Sequence, residues 1–223
     1  MKLYSFQPLF VYESLKELGY FHPFSLYEYD NFLRDEIAQE KHQWSFSNAY
    51  EWLKEQMNEQ GKEYIANNSH MIWAWYQWEG DERVKPDKRY RSVFSYTKEP
   101  YVLMELDIDP KRICLSDYHA WHDVLNYHLL EKEEAIEVFE NKYKQFNFYR
   151  DKPVADYNAN FEMQESWKTI FNMEKSREIL ELSKKEQSIQ ATFFELFYTD
   201  VSKVHFFENK NCIKVEKIFH KIN

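Results

Sequence analysis

The chain has 223 residues, 43% of them hydrophobic and 30% charged, which is enough apolar side chain for a core without staples and excludes a disordered segment. Its formal charge of -9 disfavours general binding to a phosphate backbone, and its three glycines leave no Gly-rich phosphate loop. No apolar run approaches a membrane span, the start at Met1 lacks the apolar core of a signal peptide, and Cys114 and Cys212 stand outside any metal-ligand spacing, so a cytoplasmic, membrane-free protein without a metal is the expectation.

In chain order, Lys2 to Phe6 reads as a strand. Pro8 suits a first helical position and Gly19 a helix end, with Leu9, Val11, Leu15 and Leu18 on one face between them. Ser25 to Glu28 is a capping-box pattern, followed by Phe32, Leu33 and Ile37 at helical spacing. Ser45 or Ser47 caps a third helix carrying Tyr50, Leu53 and Met57 and ending at Gly61. Met71 to Trp78 is a short aromatic strand, with Trp73 and Trp75 on one face and Ile72, Ala74, Tyr76 and Trp78 on the other. A charged loop follows, then a strand from Tyr101 to Ile108 stopped by Asp109-Pro110, and a further strand over Ile113 to Leu115.

Ser116 is the expected N-cap of a helix carrying Trp121, Val124, Leu125 and His128. Glu131 to Gln145 predicts another helix, acids first and lysines last, as the helix dipole favours. Tyr149 to Asn160 reads as a loop, and Trp167, Ile170 and Phe171 anchor a helical piece. Gln190 to Leu196 is a strand, and two short strands follow near Lys203 to Phe207 and Cys212 to Ile218. The order is not a regular β-α alternation, which argues against a doubly wound parallel sheet and for one α+β domain over residues 1–223 with a mixed, mostly antiparallel sheet.

Several groups are candidates for chemistry. His119 and His122 share a helix face beside Asp123, but no third ligand stands at a diagnostic spacing, so a capped helix is preferred to a metal site. Asp117, with His122 and Asn126, is either a cleft member or a simple cap. Lys85, Lys88, Arg89 and Arg91 crowd one loop of an acidic chain, either as a phosphate clamp or as a solvated connection. Cys114 on its apolar strand reads as core. Glu195 stands inside an aromatic strand, where a carboxylate must face solvent, find a partner or line a site; alternation puts it on the face of Phe193 and Phe197. Aromatics make up 19% of the chain, and their rings either fill a core or stack on planar ligands.

Four blocks and the start of the chain carry a resemblance. Trp73-Ala74-Trp75-Tyr76-Gln77-Trp78, the run from Leu115 to Asn126, Ser166 to Phe171, and Gln190 to Leu196, together with Leu3 to Pro8, resemble the signature blocks of an uncharacterised bacterial family of unknown function. A second resemblance, in layout, is to small bacterial ADP-ribosyltransferases: an opening strand, a helix ending Leu15-x-x-Leu18-Gly19, and a late Gln190-Ala191 strand followed by Asp200-Val201-x-x-Val204. That resemblance implies a split antiparallel sheet holding NAD, with Glu195 as the glutamate that stabilises the oxocarbenium-like transition state while ADP-ribose passes to an acceptor. It implies Trp73, Trp75 and Tyr76 as cleft aromatics and Arg89 or Arg91 as pyrophosphate contacts. Where such enzymes carry His or Arg on the first strand for the adenosine ribose, this chain offers Ser5 and Gln7. The acceptor, protein or nucleic acid, is open; the acidic charge favours a protein or small molecule over bulk nucleic acid. The rival reading is a non-enzymatic module that binds a nucleotide or a partner protein through its aromatic face.

Overall fold

A computed structural model describes residues 1–23, 43–62, 70–80, 85–86, 100–148, 156–208 and 211–218. The chain divides into two compact units, each assembled from separated stretches: a sheet unit from 1–24, 62–115 and 188–223, and a helical unit from 25–61 and 116–187. The segment around Ser25 to Ile37, read above as a helix, lies outside the described residues.

The sheet unit carries strands β1 (Lys2–Pro8), β2 (Tyr20–Phe21), β3 (Ile72–Gln77), β4 (Tyr101–Asp107), β5 (Cys114–Asp117), β6 (Ile189–Phe193), β7 (Leu196–Phe197), β8 (Val201–Glu208) and β9 (Asn211–Lys217). Seven of them form one open sheet in the order β5-β6-β3-β1-β4-β8-β9, and β2 pairs with β7 as a separate ribbon. Every pair whose register is described is antiparallel, so the α+β, mostly antiparallel expectation holds. The chain passes into the helical unit within β5.

Alternation along the strands gives the sheet two different faces. On one, Leu3, Ile72, Ala74, Val102, Met104, Ala191 and Phe193 are buried together with Val11, Tyr12 and Leu15 of helix α1 (Leu9–Leu18). This is the main apolar core of the unit, and α1 covers it because those three residues fall on one helical stripe. Pro8 ends β1 and takes the N-cap position of α1, so the helix starts one residue later than expected. At Gly19 the backbone takes φ +85, a left-handed conformation that lets its N–H close on Leu15 O at 2.9 Å; a side chain there would be strained. Burial of the Tyr12 hydroxyl, close to Glu216 and Tyr198, pushes its pKa far up, so it stays a neutral phenol.

The helical unit contains α2 (Gln43–Glu59), α3 (Tyr118–Leu125), α4 (Glu133–Lys142), α5 (Tyr157–Trp167) and α6 (Met173–Ile179), with a 3-10 turn at Lys168–Phe171. Helix α2 already includes Gln43, so Ser45 and Ser47 fall within it. Helix α5 starts within the stretch read as a loop, because Asp156 accepts from Ala159 N at 2.8 Å and supplies the missing cap. Its last residue, Trp167, is fully buried, with Trp52 edge-on at 5.4 Å and Tyr127 edge-on at 5.1 Å. Aromatic density here is core density. Among the described residues no helix is long and apolar enough to cross a membrane.

Asp117, not Ser116, caps α3: its Oδ1 accepts from His119 N at 2.9 Å and Ala120 N at 3.1 Å. Its other oxygen accepts from Ser176 Oγ at 3.1 Å and Gln187 Nε2 at 2.7 Å, so a carboxylate with no exposure ties α3 to α6 and to residue 187. Four donors on one buried carboxylate satisfy it fully, which makes Asp117 an architectural hub.

Candidate functional site: a cross-strand row of rings and cations

The second sheet face carries the candidate site. Register places Gln190 of β6 opposite Trp75 of β3, Trp75 opposite Tyr4 of β1, Tyr4 opposite Glu105 of β4, Glu105 opposite Lys203 of β8, and Lys203 opposite Lys217 of β9. Directly opposed residues share a face, so these six side chains form one row across the sheet. Neighbouring strands lie about 4.8 Å apart, so roughly 14 Å separates the Trp75 and Lys203 positions. Two residues along on the same face stand Trp73 on β3 and Phe6 on β1. Tyr101, Leu103 and Phe207 complete a small aromatic cluster there, against which Phe6 and Trp75 pack half-exposed.

The row is aromatic at one end and cationic at the other, with one acid between. Glu105 accepts from Lys85 and from His205 Nε2 at 2.7 Å, and Lys203 Nζ stands 3.6 Å away. Burial pushes its carboxyl up, but the hydrogen bonds from Lys85 and His205 and the charges of both lysines outweigh that and hold it at about 2. His205 is 2% exposed. Lys85 also sits over the Tyr4 ring, 5.3 Å from its centroid. Burial, then the charge of Glu105, raises the Tyr4 hydroxyl. One carboxylate thus faces Lys85 and Lys203, and Lys203 stands directly across from Lys217, a like-charge pairing that a sheet ordinarily avoids. Register shifts occur beside two members of the row, between Trp75 and Gln77 and between Glu105 and Leu106; bulges of this kind re-aim side chains.

The residues singled out from sequence divide between several places. Trp73 and Trp75 belong to this face. Ser5 and Gln7 alternate onto the opposite one: Ser5, fully buried, donates to Trp73 O at 2.7 Å, and Gln7 Nε2 donates to Ser5 Oγ at 2.9 Å, so the pair fastens β1 to β3. Tyr76, 36% exposed, lies beyond Trp75 at the bulge. Arg89 and Arg91 lie outside the described residues, but Lys85, which opens the same basic run, is on the row's face. His119 Nε2 stands 3.2 Å from Glu186 O and His122 Nδ1 2.8 Å from Tyr118 O. Cys114 is buried, 1% exposed.

Glu195 occupies a different setting. Strand β6 stops at Phe193 and the chain bends at Phe194 and Glu195, so the alternation that would have put Glu195 on the face of Phe193 is broken. Arg112, delivered by the 3-10 turn Pro110–Arg112, organises this bend. Its guanidinium forks onto Asp200 at 2.9 and 3.0 Å, donates to Glu195 O at 2.9 Å and stacks 4.7 Å from the Phe197 ring. The Glu195 carboxylate reaches Arg112 Nε only at 3.8 Å, beyond hydrogen-bond distance.

Glu105, His205, Lys203 and Arg112 were missed from sequence. Glu105 is an acid inside an apolar strand, the same signal that marked Glu195, and Lys203 and His205 alternate along one strand. Arg112 was signalled only by a cation set between a turn and an apolar strand.

Fold and site together define an α+β protein whose antiparallel sheet presents a half-exposed ring-and-cation face. The chain belongs to the family of the domain of unknown function DUF3841, whose family model matches residues 2–201. Tyr4, Trp75, Glu105 and Gln190 fall inside that match, and Lys203 and Lys217 beyond it. No curated protein and no solved structure matches the chain.

Proposed function

We propose that the ring-and-cation face binds a nucleotide, with NAD the species that the sequence resemblance nominates. The observation that carries this is the row itself: the half-exposed Trp75 offers a ring to a base or nicotinamide, Lys85 lies between over the buried Tyr4 ring, and Lys203, three strands along, offers charge to a phosphate roughly 14 Å away. In a chain of net charge -9, that local excess of cations draws an anion to this face.

Titrating the protein with NAD, ADP-ribose and ATP, followed by tryptophan fluorescence and thermal shift, tests the reading. Saturable binding is expected, weakened about tenfold in Trp75→Leu, since base–aromatic stacking is worth roughly 1–3 kcal/mol. Lys203→Gln with Lys217→Gln is expected to flatten the salt dependence. If none of the three nucleotides binds saturably, the reading falls.

A second reading, transfer of ADP-ribose from NAD to a protein or small-molecule acceptor, draws support from one feature. Glu195 is a half-buried carboxylate two residues past the end of β6, the neighbour of the tryptophan strand, and it reaches Arg112 Nε only at 3.8 Å, outside hydrogen-bond distance. A carboxylate so placed is available to a ribose hydroxyl. Loss of nicotinamide release in Glu195→Gln, with NAD binding kept, is the outcome expected of it.

A further inference from the structure

The helical unit contains a cavity of about 360 Å3, within the range of small-ligand sites. Its apolar walls come from Ile136 and Phe139 of α4, Phe148, Met163 of α5, and Ile179 and Leu180 at the end of α6. Its ionisable lining is one-sided. Asp123, Glu131, Glu133 and Glu140 are acids, and His128 is the one base among the lining residues. Asp123 is met by His128 at 3.3 Å and Glu131 by Lys175 at 3.2 Å. Among the described residues Glu133 and Glu140 have no ion pair.

The segment that forms one wall is held in a shape it would not adopt by itself. Tyr127 has φ 60, a left-handed conformation that costs a bulky residue roughly 1–2 kcal/mol. It is kept there by its hydroxyl, which donates to Asn160, and by a ring that is 1% exposed against Trp167. Burial raises that hydroxyl to about 12, so it remains a donor. On either side, Trp167 Nε1 donates to His128 O at 2.7 Å and Leu130 N donates to Ser166 Oγ at 3.0 Å. Strain of this kind, over-determined by its surroundings, gathers at binding sites.

We propose that this cavity binds a small organic cation with an apolar body, of the arylalkylammonium class. The body fits walls of Phe139, Phe148 and Met163, and the positive charge answers Glu133 and Glu140. An anionic ligand of the same shape would meet four carboxylates without a lysine or arginine in the lining. The site is independent of the nucleotide face: it lies in the other unit and selects the opposite charge.

Calorimetric titration of the full chain with 2-phenylethylammonium, and in parallel with 3-phenylpropionate, tests this. Saturable binding of the ammonium and none of the carboxylate at matched concentration is expected. The exposed double substitution Glu133→Gln, Glu140→Gln is expected to weaken the ammonium about fivefold without unfolding, as two partly screened charges allow. Met163→Trp, which fills the cavity, is expected to abolish binding. Equal binding of both probes, no saturable binding of the ammonium, or an affinity unchanged in the double variant overturns the proposal.

Discussion

Two carboxylates of the sheet unit, Glu105 and Glu195, start from the same local circumstance and end in opposite ones. Each is a lone acid in an apolar, aromatic stretch. Glu105 stays on its strand and collects Lys85, His205 and Lys203, which hold its pKa at about 2. Glu195 falls on a bend, where its backbone carbonyl rather than its carboxylate takes the hydrogen bond from Arg112. The first acid is held ionised by partners drawn from elsewhere in the chain. The second is a charge the fold merely accommodates, and Asp200, two-pronged on Arg112, does the structural task beside it. The difference teaches that a buried acid is read from what other strands bring to it, not from its own neighbours in sequence.

The sharpest way to break the comparison is Glu105→Gln. A folded-state pKa depressed from 4.5 to about 2 corresponds to about 3 kcal/mol of stability at neutral pH. Because the folded value is the lower one, that contribution is complete above the unfolded value, near 4.5, and is lost as pH falls towards about 2. Urea melts at pH 7 should therefore separate wild type from Glu105→Gln by about 3 kcal/mol. The gap should close between pH 4.5 and 2. A variant within about 0.5 kcal/mol of wild type at pH 7 would mean that Lys85 and His205 do not need the carboxylate.

Arg112→Met should have the next largest effect. It removes the fork on Asp200 and the donor to Glu195 O, leaving a carboxylate that is about one-tenth exposed with Phe197 N as its remaining described donor. A loss of about 2 kcal/mol is expected in the same urea assay. Arg112→Lys restores the charge but not the planar fork, so it should recover less than half of that. Full recovery by lysine would reduce the cluster to a simple charge pair.

The strands were legible because their alternation was strong: Leu3, Ile72, Ala74, Val102 and Met104 fall on one face as the period-two pattern requires. Helix α1 was legible from its stripe and its closing Gly19. Helix α5 was not, since its opening residues are polar and its signal is the single cap Asp156. Trp73 and Trp75 share a face, as alternation along their strand predicts, whereas Ser5 and Gln7, grouped with them by position along the first strand, are turned by the pleat to the other face. The ring-and-cation row was invisible because it is assembled by register: Glu105 and His205 are 100 residues apart, and Trp75 and Lys203 meet it from different strands. Dividing the chain into two interleaved units is equally non-local, as helical residues 116–187 are inserted between β5 and β6.

The smallest expected structural effect is that of Glu195→Gln, and its smallness is what makes it informative. The carboxylate stands 3.8 Å from Arg112 Nε, while the Glu195 carbonyl keeps its 2.9 Å hydrogen bond whatever the side chain. Neutralising it should cost less than about 1 kcal/mol, the range of a weak, partly exposed ion pair. The variant is therefore expected to fold, to melt close to wild type and to bind NAD as wild type does. If ADP-ribose is transferred, release of nicotinamide should fall by two or more orders of magnitude, because a carboxylate aimed at a developing positive charge acts mainly in the transition state. Nicotinamide release that persists in Glu195→Gln removes Glu195 from the chemistry, and NAD binding without release in wild type leaves the face a binding surface. A destabilisation as large as that of Glu105→Gln would instead erase the contrast between the two acids and make Glu195 a structural residue.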